Sequence, residues 1–207
     1  MKKAGNKVKK PFNLELNLFY IFSGFFLILA SLTKIGFFNS LDKAFDLAFR
    51  NFSSPVLEKI SLFIAFVFDP VPMIVLSLIV VGILYLFKLK KEATFLLIGT
   101  SLAGILIILF KEIIGRVRPE NLLETNYSFP SGHATIALVF ILSLFFIFHH
   151  KLKLRNTFLA GLLVVISFIG FSRMYLHVHW FTDIIGGFLL GLGILSFGVF
   201  ITKKYIR

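Results

Sequence analysis

The chain has no cysteine among its 207 residues, and only 15% of its residues are charged. The lack of cysteine excludes a disulfide framework and a metal site built from thiolates. Acidic residues are scarce, with 10 Asp and Glu against 22 Lys and Arg, and the formal net charge is +12. A soluble domain of this length does not carry so little charge and so much apolar surface, so the composition predicts an integral membrane protein.

Apolar residues make up 57% of the chain, and the mean hydropathy is +0.92. Six stretches are apolar and long enough to cross a hydrocarbon core of about 30 Å. We therefore expect an all-α, polytopic membrane bundle of six transmembrane helices. The expected spans are about 16–35, 56–87, 93–111, 132–149, 157–175 and 182–202. This length leaves room for one bundle, so a single membrane-embedded domain over 1–207 is predicted.

Two segments depart from simple apolar spans. The stretch 56–87 is interrupted at Asp69 by the sequence Asp-Pro-Val-Pro, and the two prolines predict a kink in one long span. Residues 56–68 alone would rise only about 20 Å, too little for a separate span. Asp69 is interpreted as a partly solvated residue at this helix break. Residues 40–54 mix apolar and charged positions, which predicts an amphipathic helix at the membrane surface.

The distribution of basic residues predicts the orientation. With the N-terminus inside, 14 of the 22 Lys and Arg fall on the inner side, in a basic tail over 1–15, the connections 88–92 and 149–156, and the C-terminus. The positive-inside rule then places both termini in the cytoplasm of a multi-pass plasma-membrane protein. Because these charges are spread over four short segments, no nucleic-acid partner is expected, and the lipid bilayer is the expected surroundings.

Three polar segments fall on the opposite, external side by this count. They are 111–119 at the end of the third span, 130–133 at the start of the fourth, and 172–183 between the fifth and sixth. Charge inside a membrane is costly and tends to be functional. A chance scatter of polar residues would fall on both sides. The sequence therefore predicts one site on the external or periplasmic face.

The residue types in these segments suit a phosphate group. Arg118 and Arg173 offer planar donor forks that match phosphate, and Lys111 adds a point charge. The segment 130–133 begins a helix, and free amides at a helix N-terminus bind anions. Gly132 allows a close approach of that backbone. Since phosphoryl transfer depends largely on positioning and electrostatics, these groups predict phosphate chemistry.

Two histidines and a carboxylate supply the remaining parts. A neutral imidazole can attack phosphorus, and Asp183, one helical turn after His179, is placed to hold the other nitrogen of that ring. His133 can protonate a departing oxygen. His177 is a rival to His179, but it lies six residues from Asp183 and so does not share its helical face. Ser131 stays possible as a nucleophile, although Pro-Ser-Gly-His is not a strained nucleophile elbow.

The other polar positions receive structural interpretations. Arg116 and Arg50 are interpreted as interfacial anchors whose charged ends reach toward water. Gly187 and Gly191 form a GxxxG pair that predicts helix packing. No carboxylate or histidine cluster has the spacing of a Zn²⁺ or Mg²⁺ site, so neither a metal nor another cofactor is expected.

The three polar segments resemble those of the type 2 phosphatidic acid phosphatase superfamily, which includes bacterial lipid phosphatases and vanadium haloperoxidases. The family pattern is KxxxxxxRP, PSGH and SRxxxxxHxxxD, and segments 111–119, 130–133 and 172–183 match every fixed position. The small size is similar to that of bacterial phosphatidylglycerophosphate or undecaprenyl pyrophosphate phosphatases.

This resemblance implies a role for each motif residue. His179 would be the nucleophile that forms a phospho-histidine, and Asp183 would orient it. His133 would act as the general acid and later as the base for water. The phosphate would be held by Lys111, Arg118, Ser131, Gly132 and Arg173.

The expected function is hydrolysis of a lipid phosphate monoester or pyrophosphate at the outer leaflet. Phosphatidylglycerophosphate, undecaprenyl pyrophosphate and phosphatidic acid are all candidate substrates, because the motifs contact only the phosphate. A catalytically idle lipid-phosphate binder or transporter is one alternative, and the intact histidine pair argues against it. A vanadate-dependent haloperoxidase is another, and the membrane context argues against that. No oligomeric state is predicted.

Overall fold

The structure, a computed structural model, describes residues 13–52, 54–120 and 123–205, and these ranges form helices without any strand. Of the predicted basic tail over 1–15, residues 1–12 lie outside the described residues. The helices are α1 (Leu14–Lys34), α2 (Asn39–Arg50), α3 (Pro55–Val67), α4 (Pro70–Leu86), α5 (Lys90–Ile114), α6 (Gly132–Phe148), α7 (Arg155–Tyr175) and α8 (Phe181–Tyr205), with a 3₁₀ turn at His149–Lys151.

The predicted all-α membrane bundle is confirmed. By length and composition, α1, α5, α6, α7 and α8 are each long and apolar enough to cross a membrane. The shorter α3 and α4 form a bent pair with an angle of 46°, which makes a sixth span when the pair is counted as one. The bend lies where the prolines predict it. Asp69 precedes Pro70, and its Oδ1 accepts a hydrogen bond of 3.0 Å from the amide of Val71, so Asp69 caps α4.

The most buried span is α6, which packs against α4, α5, α7 and α8. Inside the protein, 72% of this span is buried, compared with 17% of α1. A helix that is apolar on all sides is expected at such a central position. The segment 130–133 therefore lies at the start of the central helix, and its site residues are held by a helix that packs against four others.

Close packing of α8 on α6 depends on glycine. A Cβ added to Gly187 would lie 2.8 Å from the backbone oxygen of Ser131, and one added to Gly191 would lie 2.9 Å from Leu138 Cδ2. The predicted packing role of this GxxxG pair agrees with these contacts. The amide of Ser131 also donates to the carbonyl of Asp183 at 3.1 Å. The first turns of α6 and α8 are thus joined by backbone.

The stretch 40–54 is helical only as far as Arg50, and α2 packs across the ends of α7 and α8. Phe45 stacks on Phe181 with ring centroids 4.2 Å apart, and Phe49 meets Phe171 edge-on. The acidic residues of α2 face the protein rather than water. Asp42 is 1% exposed, although a surface helix of this type usually directs its charges outward.

Candidate active site

The predicted site residues lie at one end of the bundle. Lys111 is in the last turn of α5, and Arg173 is in the last turn of α7. Ser131 precedes α6, and its hydroxyl accepts from the amide of Ala134 at 3.4 Å, which caps the helix. Seven of these eight residues are buried, namely Arg118, Ser131, Gly132, His133, Arg173, His179 and Asp183, and Lys111 is partly buried. Buried charges of this kind need partners.

His179 lies between a guanidinium and a carboxylate. Its Nε2 is 3.1 Å from Arg118 Nη1, and its Nδ1 is 3.4 Å from Asp183 Oδ2. Because a guanidinium can only donate hydrogen bonds, Nε2 is the acceptor and carries no proton. The proton of the neutral ring therefore lies on Nδ1, facing Asp183. The arrangement directs a lone pair on Nε2 toward the cations.

The charge state of His179 follows from its surroundings. Burial, followed by the positive charges of Arg118, Lys111 and Arg173, lowers the pKa of His179 well below its ordinary value of 6.5. A histidine is neutral above its pKa, so this ring stays neutral at pH 7 and in mild acid. The neutral form is the one that can attack an electrophile.

The two arginines of the site converge on one anion. Arg118 Nη2 is 2.5 Å from Glu124 Oε2, and Arg173 Nη2 pairs with the other oxygen of the same carboxylate. Lys111 donates to Asn126 Oδ1 at 3.2 Å and to the carbonyl of Tyr127. The geometry places one carboxylate between an Nη2 nitrogen of each guanidinium. A phosphate group, with more acceptor oxygens, could take the same place.

Sequence reasoning did not find Glu124. Nothing in the local sequence marks Glu124 as a site residue, because it lies between α5 and α6 and outside the three motifs. A physical signal did exist. The chain has only 10 acidic residues, and two arginines predicted to lie together at a membrane edge need a counter-charge nearby.

The interpretation of Arg116 as an interfacial anchor is wrong. Its side chain is only 10% exposed, and its Nη1 lies 2.7 Å from Asp183 Oδ1 and 2.7 Å from Thr182 Oγ1. Its Nη2 pairs with Asp42, and its guanidinium lies 5.4 Å from the centroid of the Trp180 ring. A buried carboxylate from α2 and another from α8 attract the guanidinium more strongly than water would. Asp42 is a second residue that sequence reasoning missed.

The two remaining histidines near the site face other partners. His177 Nδ1 is 2.7 Å from Asp46 Oδ1 on α2, and its backbone has a φ of +54°. It does not bond to Asp183, as its spacing predicts. His133 Nε2 is 3.1 Å from the carbonyl of Ala65 and 4.0 Å from Asp69 Oδ2. The break between α3 and α4 thus orients His133.

Within the described ranges, no group of three or more His, Asp or Glu side chains is arranged to hold a metal ion. The positive charge that faces an anion here belongs to Lys111, Arg118 and Arg173. Chemically, the site can bind an anion, offer it an unprotonated imidazole nitrogen, and compensate the positive charge that this ring would gain.

The tautomer of His179 is directly measurable. We expect side-chain ¹⁵N NMR of the protein in micelles to show His179 neutral, protonated on Nδ1, and without titration between about pH 5.5 and 8, because its pKa lies well below 6.5. The spectrum of His179→Ala assigns the signal. A midpoint near 6.5, or a proton on Nε2, would contradict the geometry described above.

Comparison with known proteins gives the same result for family and fold. The sequence model of the PAP2 superfamily matches residues 92–207. The chain is 31% identical over 177 residues to phosphatidylglycerophosphatase B of Bacillus subtilis, covering 81% of this chain and 86% of that protein. It is 32% identical over 122 residues to an undecaprenyl-diphosphatase of Sulfolobus acidocaldarius, covering 54% of this chain and 56% of that protein.

Two solved structures are similar over most of the chain. A transmembrane PAP2-type phosphatidylglycerolphosphate phosphatase from Bacillus subtilis gives a TM-score of 0.80 at 27% identity, covering 95% of this chain and 99% of that one. LpxE of Aquifex aeolicus gives 0.57 at 27% identity, covering 79% and 94%. The resemblance carried by the three motifs is confirmed. The chain therefore belongs to the PAP2 superfamily and is a multi-pass membrane hydrolase of phosphate esters.

Proposed function

We propose that this enzyme hydrolyses a lipid phosphate monoester or diphosphate at the outer leaflet through a phospho-histidine on His179. The observation that carries the proposal is the pair of contacts on this ring. Arg118 donates toward Nε2 at 3.1 Å, and Asp183 faces Nδ1 at 3.4 Å. This holds the ring in the tautomer that a nucleophile needs.

The reaction has two steps. In the first, His179 Nε2 attacks phosphorus, the bond from phosphorus to the lipid oxygen breaks, and that oxygen takes a proton from His133. In the second, His133 takes a proton from water, the water oxygen attacks phosphorus, and the phosphorus–nitrogen bond breaks to release inorganic phosphate. Asp183 balances the positive charge on the ring while phosphate is attached.

The phosphate oxygens replace the carboxylate of Glu124. Arg118 and Arg173 each bind one oxygen of that carboxylate, so two oxygens of an incoming phosphate replace the two carboxylate oxygens as partners of the arginines. Lys111 adds charge from α5, and the first amides of α6, from Gly132 onward, face the same end of the bundle. Ser131 contributes through this helix start. Its hydroxyl caps α6, which supports a binding role over the alternative of a serine nucleophile.

Phosphatidylglycerophosphate is the first substrate to test. The relative named phosphatidylglycerophosphatase B aligns with 81% of this chain, whereas the undecaprenyl-diphosphatase of Sulfolobus acidocaldarius aligns with 54%. Undecaprenyl diphosphate is therefore the second candidate. The test is release of inorganic phosphate from each lipid by the purified protein, with phosphatidic acid as the third lipid. Equal rates on all three would overturn the ranking.

The mechanism predicts hydrolysis that is insensitive to chelation. Activity should persist with excess EDTA, because side chains supply both the attacking atom and the positive charge that stabilises the phosphate. Vanadate should inhibit in competition with substrate, since it adopts the five-coordinate geometry of phosphoryl transfer. Phosphate release with and without EDTA is the measurement. Activity that disappears on chelation and returns with Mg²⁺ would rule out this mechanism.

We also propose that both termini and the connection 149–154 are cytoplasmic, and that the loop 115–131 is external. The chain has no cysteine, so one introduced thiol reports its own position. Thr125→Cys should react with an impermeant thiol reagent in intact cells, and Lys153→Cys only after permeabilisation. Both positions are exposed, and Thr125 avoids Asn126, whose side chain accepts from Lys111. The reverse labelling pattern would invert the proposed topology.

A further inference from the structure

Behind His179 and Asp183 lies a second group of charges that no motif contains. Asp42 accepts from the amide of Thr182 at 3.0 Å and from its hydroxyl at 2.8 Å, and it pairs with Arg116. Arg116 in turn donates to Asp183 Oδ1 at 2.7 Å. Carboxylate, guanidinium, carboxylate and imidazole thus follow one another from α2 to the ring of His179.

We propose that Arg116 and Asp42 are positioning residues for the hydrolytic reaction. They hold the carboxylate of Asp183 so that its second oxygen faces His179 Nδ1. The inference rests on the proposed role of His179 as the nucleophile. It extends that role to α2, a helix without any motif residue.

The two oxygens of Asp183 have different partners. Oδ1 accepts from Arg116, while Oδ2 accepts from the amide of Trp180 at 2.8 Å and faces His179. With a donor on each oxygen, the carboxylate cannot rotate without losing a bond. If Arg116 were removed, Oδ1 would be buried without this partner, because Asp183 is 0% exposed. A freely turning carboxylate would orient the imidazole less well.

The charges of this group favour the same role for Arg116. Asp42 and Asp183 are both nearly inaccessible to solvent, and Arg116 is the cation that pairs with both. Two carboxylates and one guanidinium leave one negative charge in the group. That charge lies beside the ring that becomes positive when phosphate is attached to it. If Arg116 were removed, the two buried carboxylates would lose the cation with which both of them pair.

Arg116 is itself held in place by its neighbours. Its second nitrogen pairs with Asp42, and Asp42 is fixed by the start of α8 through Thr182. Stacking of Phe45 on Phe181 holds α2 against the same helix start. Asp42 therefore belongs to a rigid support, and its charge keeps the guanidinium directed at Asp183.

A purely structural role, in which Asp42 only docks α2, has a matched control. Asp46 lies one turn later on the same face of α2, and it bonds to His177 at 2.7 Å and to Arg50 at 2.8 Å. It does not bond to Asp183. If docking of α2 were all that matters, Asp42→Asn and Asp46→Asn would have similar effects.

The experiment measures kcat, KM and vanadate inhibition for the full-length protein in lipid nanodiscs. Asp42→Asn and Arg116→Ala should each lower kcat by about 10²-fold, the typical cost of a misplaced catalytic group. KM and vanadate inhibition should stay close to wild type, because the phosphate ligands are untouched. Asp46→Asn should keep the wild-type kcat. Equal losses in Asp42→Asn and Asp46→Asn would overturn the proposal, as would a rise in KM alone.

Rescue supplies a readout that a structural role would not give. Guanidinium ion at millimolar concentration should restore part of the kcat of Arg116→Ala and none of that of Asp42→Asn. Arg116→Lys should retain part of the activity, because one ammonium can reach one carboxylate well but not both. If Arg116→Ala does not fold, the kcat values of Arg116→Lys and Asp42→Asn still test whether Arg116 and Asp42 position Asp183. A kcat of Arg116→Lys equal to wild type would refute the need for a guanidinium that bridges both carboxylates.

Phospho-enzyme trapping separates this proposal from the proposed function. If His179→Ala still traps phosphate, the nucleophile is wrong whatever Arg116 does. If His179→Ala traps none while Asp42→Asn behaves like Asp46→Asn, the nucleophile stands and the positioning proposal fails.

Discussion

His179→Ala is expected to abolish turnover and to leave no phospho-enzyme. The variant loses Nε2, the unprotonated nitrogen that faces Arg118 at 3.1 Å. Removing a nucleophile costs more than removing any of its supports, on the order of 10⁴-fold or greater. The measurement is acid-labile phosphate on the protein after a short reaction with labelled substrate.

The other members of the site should fail in different ways. His133→Ala should lose steady-state turnover of a lipid substrate, whose oxygen needs a proton to depart, yet it should still trap phosphate from a substrate with a good leaving group. Asp183→Asn should be impaired less than His179→Ala, because Asp183 orients the ring and balances its charge.

His177→Ala is the control for this series. The imidazole of His177 faces Asp46 on α2 rather than Asp183, so its loss should leave most of the activity. If His177→Ala is inactive while His179→Ala still traps phosphate, the assignment of the nucleophile is wrong.

The spans and motifs could be predicted because their signals are local. An apolar stretch reports its own burial in a membrane, and the two prolines after Asp69 remove amide donors whatever surrounds them. The relation between His179 and Asp183 is equally local, because four positions along the chain separate His179, in the turn before α8, from Asp183, in the first turn of α8. These features need no knowledge of what packs across them.

The supports of the site could not be predicted in the same way. Arg116 lies at a membrane edge, where a cation usually reaches toward water, and only the docking of α2 brings Asp42 within reach of it. Sequence separation hides that contact, since the two residues are 74 positions apart. Glu124 is similar, because its pairing with Arg173 joins the segment between α5 and α6 to the last turn of α7, 49 positions away.

The amphipathic pattern of α2 illustrates the same difficulty. Charges at Asp42 and Asp46, four residues apart, mark one helical face, and that face would ordinarily be assigned to water. The structure turns it toward Arg116 and His177 instead. The pattern predicts a two-sided helix, but only complementary charges on the neighbouring segments decide which side is buried.

Gly187→Ala is expected to destabilise the protein and to lower kcat together. The new Cβ would lie 2.8 Å from the backbone oxygen of Ser131 and 3.0 Å from Ala134 Cβ. Backbone cannot yield as a flexible side chain can, so α8 must move away from the start of α6. Overpacking of this kind costs about 1–3 kcal/mol.

The loss of activity follows from what these two helix starts carry. Asp183 is one turn before Gly187 on α8, and the amide of Ser131 bonds to its carbonyl at 3.1 Å. Separating the helices displaces the phosphate-binding segment from His179 and its carboxylate. A displacement of about 1 Å can cost about 10²-fold in rate, so a drop in kcat should accompany the drop in melting temperature.

Gly161→Ala is the matched control. Gly161 is an exposed glycine on α7, and a Cβ there would meet no atom within 4 Å. Alanine favours a helix over glycine by about 1 kcal/mol, so Gly161→Ala should be as stable as wild type or slightly more stable, with unchanged kcat. The difference in melting temperature between the two variants isolates the contact with Ser131. Equal stability and equal activity in both would show that the approach of α8 to α6 does not position the site.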